Sequence, residues 1–326
     1  MEYKALGSTD IMISTIGLGT WAMGGWAWGG TNEEMAIKTI QAFIDNGGNL
    51  IDTAPVYGLG LSEEIVGRAV KGRRDKVVLA TKCGLVWDIE KGSFFFQESD
   101  KPVYRYLGRE SIKKEIDKSL KRLNTDYIDL YQIHWLDRTT PVEEVIGTLL
   151  EIKKEGKIRE IGICNVGKLE IEEFTKHIKL QSDQEKFSML DMEARFDNIP
   201  YCANNNISFI AYSPLEKGLL SGKVTLDRVF PKDDDRSHES RFSPQVRGKI
   251  LNLLAEFDKL NIKYNITTAQ LILAWTRMIP GVSSLLVGAR NVDQVLENIR
   301  SSEVFLDQND WNYIFDYVER KAESIF

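Results

Sequence analysis

Residues 127–156, YIDLYQIHWLDRTTPVEEVIGTLLEIKKEG, set an apolar run ending in histidine ahead of an amphipathic helical segment. The run belongs in a buried strand, yet it closes on His134, a group that is expensive to bury. The same strand-then-helix unit recurs in both directions. Toward the N-terminus, STIGLGT (14–20) precedes a helix over Asn32–Asn46, and NLIDTA (49–54) precedes SEEIVGRAVKG (62–72). KVVLATK (76–82) leads through a long loop to a helix over Arg109–Leu123. Toward the C-terminus, IREIGICN (158–165) is followed by LEIEEFTKHIK (169–179), and a weaker strand near Ser182–Gln184 by a short helix around Ile199–Asn205. SFIAYSPL (208–215) leads to helices near Pro244–Leu260 and over 267–278, and SSLLVGA (283–289) to NVDQVLENIR (291–300).

Eight such units with mostly short connections predict a closed parallel (β/α)8 TIM barrel, with a doubly wound open sheet as the competing architecture. EYKALGSTDIMIS (2–14) reads as a β-hairpin turning at Gly7–Asp10 that caps the barrel floor, and a helix from Asp307 onward is an addition. The whole chain, 1–326, reads as a single domain. Two stretches, Cys83–Gly108 and Leu215–Ser243, are long for loops in such a fold, which points to function.

The other polar ends of apolar runs match His134 in kind. Asp52 and Tyr57 close LIDTAPVYG (50–58), and Lys82 closes VVLATK (77–82). Taken singly, Asp52 reads as a loop cap, Tyr57 as a half-buried aromatic and His134 as a structural histidine. Lys82 needs a partner. In a barrel all four converge on one pocket, and acid, phenol, amine and imidazole together make a proton-transfer apparatus. A buried lysine beside a phenol favours the phenolate and is expected to lower the Tyr57 pKa, with Asp52 holding the lysine charged. The set suits protonation of an alkoxide as it forms during hydride delivery.

Composition bounds the remaining classes. With 326 residues, 43% hydrophobic and 28% charged, the chain is of ordinary globular composition. A net charge of −6 with no basic stripe speaks against nucleic-acid partners. The odd, widely spaced Cys83, Cys164 and Cys202 suggest neither disulfides nor a metal site. MEYKALGSTD is too polar for a signal peptide, and Arg277 and Pro280 break the apolar stretch 268–289. A cytoplasmic protein without membrane partners is expected; homo-oligomerisation is left open. GLGTWA (17–22) lacks the third glycine of the dinucleotide fingerprint, so no Rossmann site is expected.

GLGTW (17–21), LIDTAPVYG, LATK (79–82), SLKRLNTDYIDLYQIHW (119–135), GKIREIGICN (156–165), AYSPLEKGLLSGK (211–223) and VGARNVDQVLENI (287–299) together resemble the aldo-keto reductase superfamily, nearest its bacterial members with a GAR-type cofactor segment. The resemblance implies a barrel binding NADPH (NADP+), with NADH the second choice, and a small-molecule carbonyl substrate. It implies Asp52, Tyr57, Lys82 and His134 as a catalytic tetrad with Tyr57 as general acid. Gly19, Thr20 and Trp21 match the segment near the nicotinamide ribose, Cys164, Asn165 and Gln184 the carboxamide site, and Tyr212 the ring that stacks on the nicotinamide. Ser213, Pro214, Leu215, Gly218 and Lys223 match the pyrophosphate loop. Gly288, Arg290, Gln294, Glu297 and Asn298 match the adenosine site, with Arg290 the basis for NADPH.

Three positions depart from the family pattern: Cys164 stands for serine, Leu136 for a proline after HW, and Phe187 for a tyrosine. Trp21, Tyr57, Trp87, His134 and Trp135 are expected to face the substrate, alongside Trp26, Trp28, Phe94, Phe95 and Phe96 in an aromatic wall. Arg236 and Arg241 are expected as phosphate contacts in a closing loop. A competing class is a cofactor-sensing binding subunit resembling potassium-channel β subunits, against which His134 argues. A lyase using Lys82 as a Schiff-base amine leaves Asp52 and Tyr57 without roles.

Overall fold

In the computed structural model, which describes residues 1–321 and 325, the chain opens with an antiparallel hairpin, β1 (Tyr3–Ala5) and β2 (Met12–Ser14). The barrel strands begin with β3 (Ile16–Gly19), β4 (Leu50–Asp52) and β5 (Val78–Cys83). Three outlying strands follow, β6 (Leu85–Val86), β7 (Ser93–Glu98) and β8 (Lys101–Arg105). The barrel resumes with β9 (Ile128–Ile133), β10 (Ile158–Cys164), β11 (Ser182–Lys186), β12 (Ser208–Tyr212) and β13 (Val282–Gly288). The parallel order β3-β4-β5-β9-β10-β11-β12-β13 returns to β3 through Leu285↔Ile16 and Gly288↔Gly19. The sheet is therefore closed, and the open doubly wound alternative is ruled out.

The surrounding helices are α1 (Glu33–Asp45), α2 (Leu61–Ala69), α3 (Arg109–Leu123), α4 (Val142–Lys154), α5 (Lys168–Thr175) and α6 (Asn198–Asn204). They continue with α7 (Pro244–Ala255), α8 (Asp258–Tyr264), α9 (Thr268–Arg277), α10 (Val292–Arg300) and α11 (Gln308–Lys321). Their starts follow local chemistry: the Asn32 and Asn291 side chains accept from the amides of Met35 and Gln294, and Thr267 with Gln270 forms a capping box. No helix among the described residues is long and apolar enough to cross a membrane.

The hairpin closes one end of the barrel. Leu6, Ile11 and Ile13 pack with Leu50, Val78, Leu130, Ile210 and Leu286, so apolar side chains fill the N-terminal end of the lumen. The pocket is left at the C-terminal end, where the polar strand ends converge. Two sequence expectations change in detail. Residues 83–108 are not an open loop: β6, β8 and β7 form a separate antiparallel sheet over that end, here called the flap. The helix expected over Pro244–Leu260 breaks into α7 and α8, because the chain turns through Phe257, whose fully buried ring joins the core.

Candidate active site

Asp52 ends β4, Lys82 lies near the end of β5, His134 directly follows β9, and Tyr57 sits in the turn between β4 and α2. The barrel brings these four together. Lys82 Nζ donates to Asp52 Oδ1 at 2.5 Å and to the Thr53 carbonyl at 2.9 Å, and stands 3.4 Å from the Tyr57 hydroxyl. The Tyr57 and His134 rings meet edge to face with centroids 5.8 Å apart. Lys82 is 1% exposed and Asp52 3%, so this is a buried ion pair, useful only if its remaining hydrogen bonds are met. They are: Gln132 and Gln184 donate to Asp52 Oδ2 at 3.1 and 2.9 Å.

The electrostatics correct one expectation. Burial pushes the Tyr57 hydroxyl up to about 12, and Lys82 opposes this without reversing it. The phenol is thus neutral at pH 7, because loss of solvent around the phenolate outweighs one nearby cation. Burial would lower the Lys82 ammonium, but Asp52 and then Tyr57 outweigh it and hold the amine above its ordinary value. Burial, and then Lys82, holds His134 well below its ordinary value, so its imidazole is neutral. Among the described residues its ring nitrogens make no hydrogen bond, which leaves them free for a ligand.

The residues expected around a dinucleotide follow the barrel rim from β10 to β3. Gly19 and Gly288 pair directly across β3 and β13. A Cβ on either would find its nearest neighbour only at 3.8–3.9 Å, so the strand ends form a floor without side chains. Backbone strain gathers nearby: Asn165, Ser213, Glu216 and Lys217 all have positive φ, and Gly218 (φ +94°) has open space where a Cβ would lie. Such conformations persist where function requires them. Half-buried Tyr212 ends β12, with Pro214 buried and Leu215 half-buried beyond it. A smooth floor, an aromatic ring and a left-handed loop with exposed backbone fit a bound dinucleotide.

Several of these side chains already have partners. Asn165 donates to the His134 carbonyl at 2.9 Å and accepts from the Tyr212 hydroxyl at 2.8 Å. Cys164 is fully buried, and burial pushes its thiol well above its ordinary value. Thr20 is fully buried, donates to the Asp52 carbonyl and meets Ser62; it supports the β4 end and does not line the pocket. Lys223 pairs with Glu297 at 2.5 Å. Arg290 donates to the carbonyls of Trp28 and Gly30, its amide bonds Gln294, and Asn298 donates to the Gly288 carbonyl at 3.3 Å. Arg236 is paired with Asp234, and Arg241 with Asp191 and Glu216, so in this arrangement both arginines brace the 215–243 loop.

The aromatic wall assembles from separated segments. Trp26 stacks on Phe96 at 5.1 Å, Phe95 meets Trp135 at 5.1 Å, and Trp21 lies between Trp28 and Tyr57. Tyr57, Trp87, Phe95, Phe96 and Trp135 pack on one small cluster of Ala54, Val56, Leu85 and Val103. Phe94 points away and is 60% exposed. Sequence reasoning missed Gln132, although its place two residues before His134 puts it on the same inward face of β9. It also missed Lys217, whose ammonium lies 4.8 Å from the centre of the Trp21 ring and pairs with Glu239.

The sequence model of the aldo/keto reductase family matches residues 15–319. Aldo-keto reductase YhdN of Bacillus subtilis is 40% identical over 90% of this chain and 87% of its own. The NADH-specific methylglyoxal reductase of Escherichia coli is 41% identical over 95% of this chain and 96% of its own. Among solved structures, a glycerol dehydrogenase from Gluconobacter oxydans superposes with a TM-score of 0.87 at 36% identity, covering 98% of this chain and 95% of the other. Barrel, site geometry and these matches agree: the chain belongs to the aldo/keto reductase family.

Proposed function

We propose that the protein reduces an aldehyde or ketone to the alcohol by hydride transfer from a nicotinamide dinucleotide, NADPH ahead of NADH, with Tyr57 as general acid. The observation that carries this reading is the chain Asp52–Lys82–Tyr57, running from a buried ion pair to a half-buried phenol, with a neutral His134 against that phenol. A nicotinamide dinucleotide held here would supply the hydride for the carbonyl carbon. Tyr57 gives its proton to the carbonyl oxygen, and the adjacent ammonium of Lys82 stabilises the phenolate left behind. Asp52 keeps Lys82 charged and in place. The neutral ring of His134 orients the carbonyl oxygen, and the aromatic wall excludes water.

Tyr212 would stack on the nicotinamide, with Asn165 and Gln184 at its carboxamide. Ser213, Pro214, Leu215, Gly218 and Lys223 would take the pyrophosphate, and Gly288, Arg290, Gln294, Glu297 and Asn298 the adenosine. Arg290 gives one N–H to each of the carbonyls of Trp28 and Gly30, which leaves guanidinium donors over for a 2′-phosphate. The Escherichia coli relative is named as NADH-specific, so the choice of cofactor needs a direct test.

Titration with NADPH and NADH, read by tryptophan fluorescence, provides it. NADPH should bind more tightly, and R290A should narrow the difference. Equal binding would remove Arg290 as the discriminator. No binding of either cofactor, with no turnover across a carbonyl panel, would overturn the function.

A further inference from the structure

Arg105 closes β8, the central strand of the flap. Two residues earlier Val103 is fully buried in the cluster that carries Tyr57, Phe95 and Trp135. Side chains alternate along a strand, so Arg105 shares that face and is turned toward the barrel mouth. Its guanidinium carbon lies 3.8 Å from the centre of the Phe95 ring and 4.9 Å from that of Trp135, the residue after His134. A cation thus sits on the aromatic wall whose cluster also carries Tyr57.

This cation has no counterion. Among the described residues no carboxylate lies within 4.0 Å of it, and its buried Nε has no hydrogen-bond partner. Other arginines that bury an unbonded Nε are held elsewhere: Arg195 pairs with Glu319, Arg247 donates to two carbonyls, and Arg277 pairs with Glu2. The buried carboxylate of the flap, Glu98, pairs in register with Lys101, at the far end of β8 from Arg105. Burial alone, with no charged neighbour contributing, holds the guanidinium below its ordinary value. An arginine stacked and partly dried, with its planar fork unmet, is set to receive a planar or tetrahedral oxyanion.

We propose that Arg105 selects anionic carbonyl substrates, pairing with the carboxylate or phosphate of a short aldehyde or ketone whose carbonyl lies at Tyr57 and His134. The assignment rests on the carbonyl reduction proposed above and names the substrate class of that site. Aromatic contacts alone favour apolar or ring-shaped compounds; the unpaired cation adds a charge requirement at one end.

The test compares matched pairs: succinic semialdehyde with butanal, and glyceraldehyde 3-phosphate with glyceraldehyde. The wild type should favour the charged member of at least one pair in kcat/KM, and the favoured pair identifies carboxylate or phosphate. R105Q should lose about 30-fold on that charged substrate, mainly through KM, and change little on its neutral partner. R105K should recover part of the loss. No preference in the wild type, or an equal loss on both members in R105Q, overturns the assignment. Should R105Q fail to fold, the R105K comparison decides by the same criterion. Turnover of the neutral compounds without charge preference leaves carbonyl reduction standing. No turnover of any of the four with either cofactor overturns both.

Discussion

Gln132 reaches Asp52 across the barrel: its Nε2 donates at 3.1 Å to Oδ2, the carboxylate oxygen that Lys82 does not use. β9 and β4 are separated by β5 in the sheet, so this bond crosses the lumen. It fixes the direction of the carboxylate and, through it, the position of the lysine. Q132L should therefore lower kcat about tenfold while cofactor affinity stays near wild type. Steady-state kinetics with parallel fluorescence titration checks this; unchanged kcat would show that Gln184 alone suffices.

Removing one member of a buried pair leaves the other uncompensated. K82M should lower the unfolding free energy by about 3 kcal/mol, measured by urea denaturation without cofactor. D52N/K82M should recover part of that loss, since no buried charge then remains. Both variants should lack turnover.

With Tyr57 as the proposed acid, its hydroxyl should govern the pH dependence. An acid works in its protonated form, which for a hydroxyl near 12 persists throughout the accessible range. Reduction should accordingly be flat from about pH 6 to 9, whereas alcohol oxidation, which needs the phenolate, should rise with pH throughout. His134, held below its ordinary value, should add no inflection near 6.5. Y57F should reduce kcat by about 10²–10⁴ and leave cofactor binding intact.

Glu115 makes a prediction about stability. This α3 carboxylate accepts from the Gly84 amide at 2.9 Å and from Ser111, and burial pushes it up to about 8. Its folded value lies above its unfolded one, so the folded state holds the proton more tightly. Stability is full below the unfolded value and is lost as pH rises through about 8. E115Q cannot ionise. Its stability relative to wild type should rise by on the order of 5 kcal/mol between pH 4.5 and 8, then level off. Denaturation at several pH values decides.

The barrel and its four central residues were legible because most of the barrel strands are apolar runs, and three of them end at or next to a group that needs company, as in VVLATK. The flap was not. Its pairing joins Phe94 to Tyr104 and Leu85 to Arg105, contacts that no local period announces, and the run Phe94–Phe96 breaks strand alternation at a bulge. The break at Phe257 lacks the glycine or proline that would mark it. The Tyr57 expectation named the right neighbour, but the sign of its shift depended on depth of burial, which neighbours in sequence do not encode. Likewise Arg290 was placed at the right strand end, while its bonds to Trp28 and Gly30 required the 24–30 loop to be seen beside it.

Among the described residues the flap shares no ladder with the barrel: its three strands pair in a sheet of their own. If the flap meets the substrate as proposed, mutation can redraw that surface while the proposed hydride and proton chemistry, rooted in the barrel strands, stays as it is. A lineage could change its diet by rewriting about two dozen residues, and a protein engineer could graft the same segment between barrels to the same end.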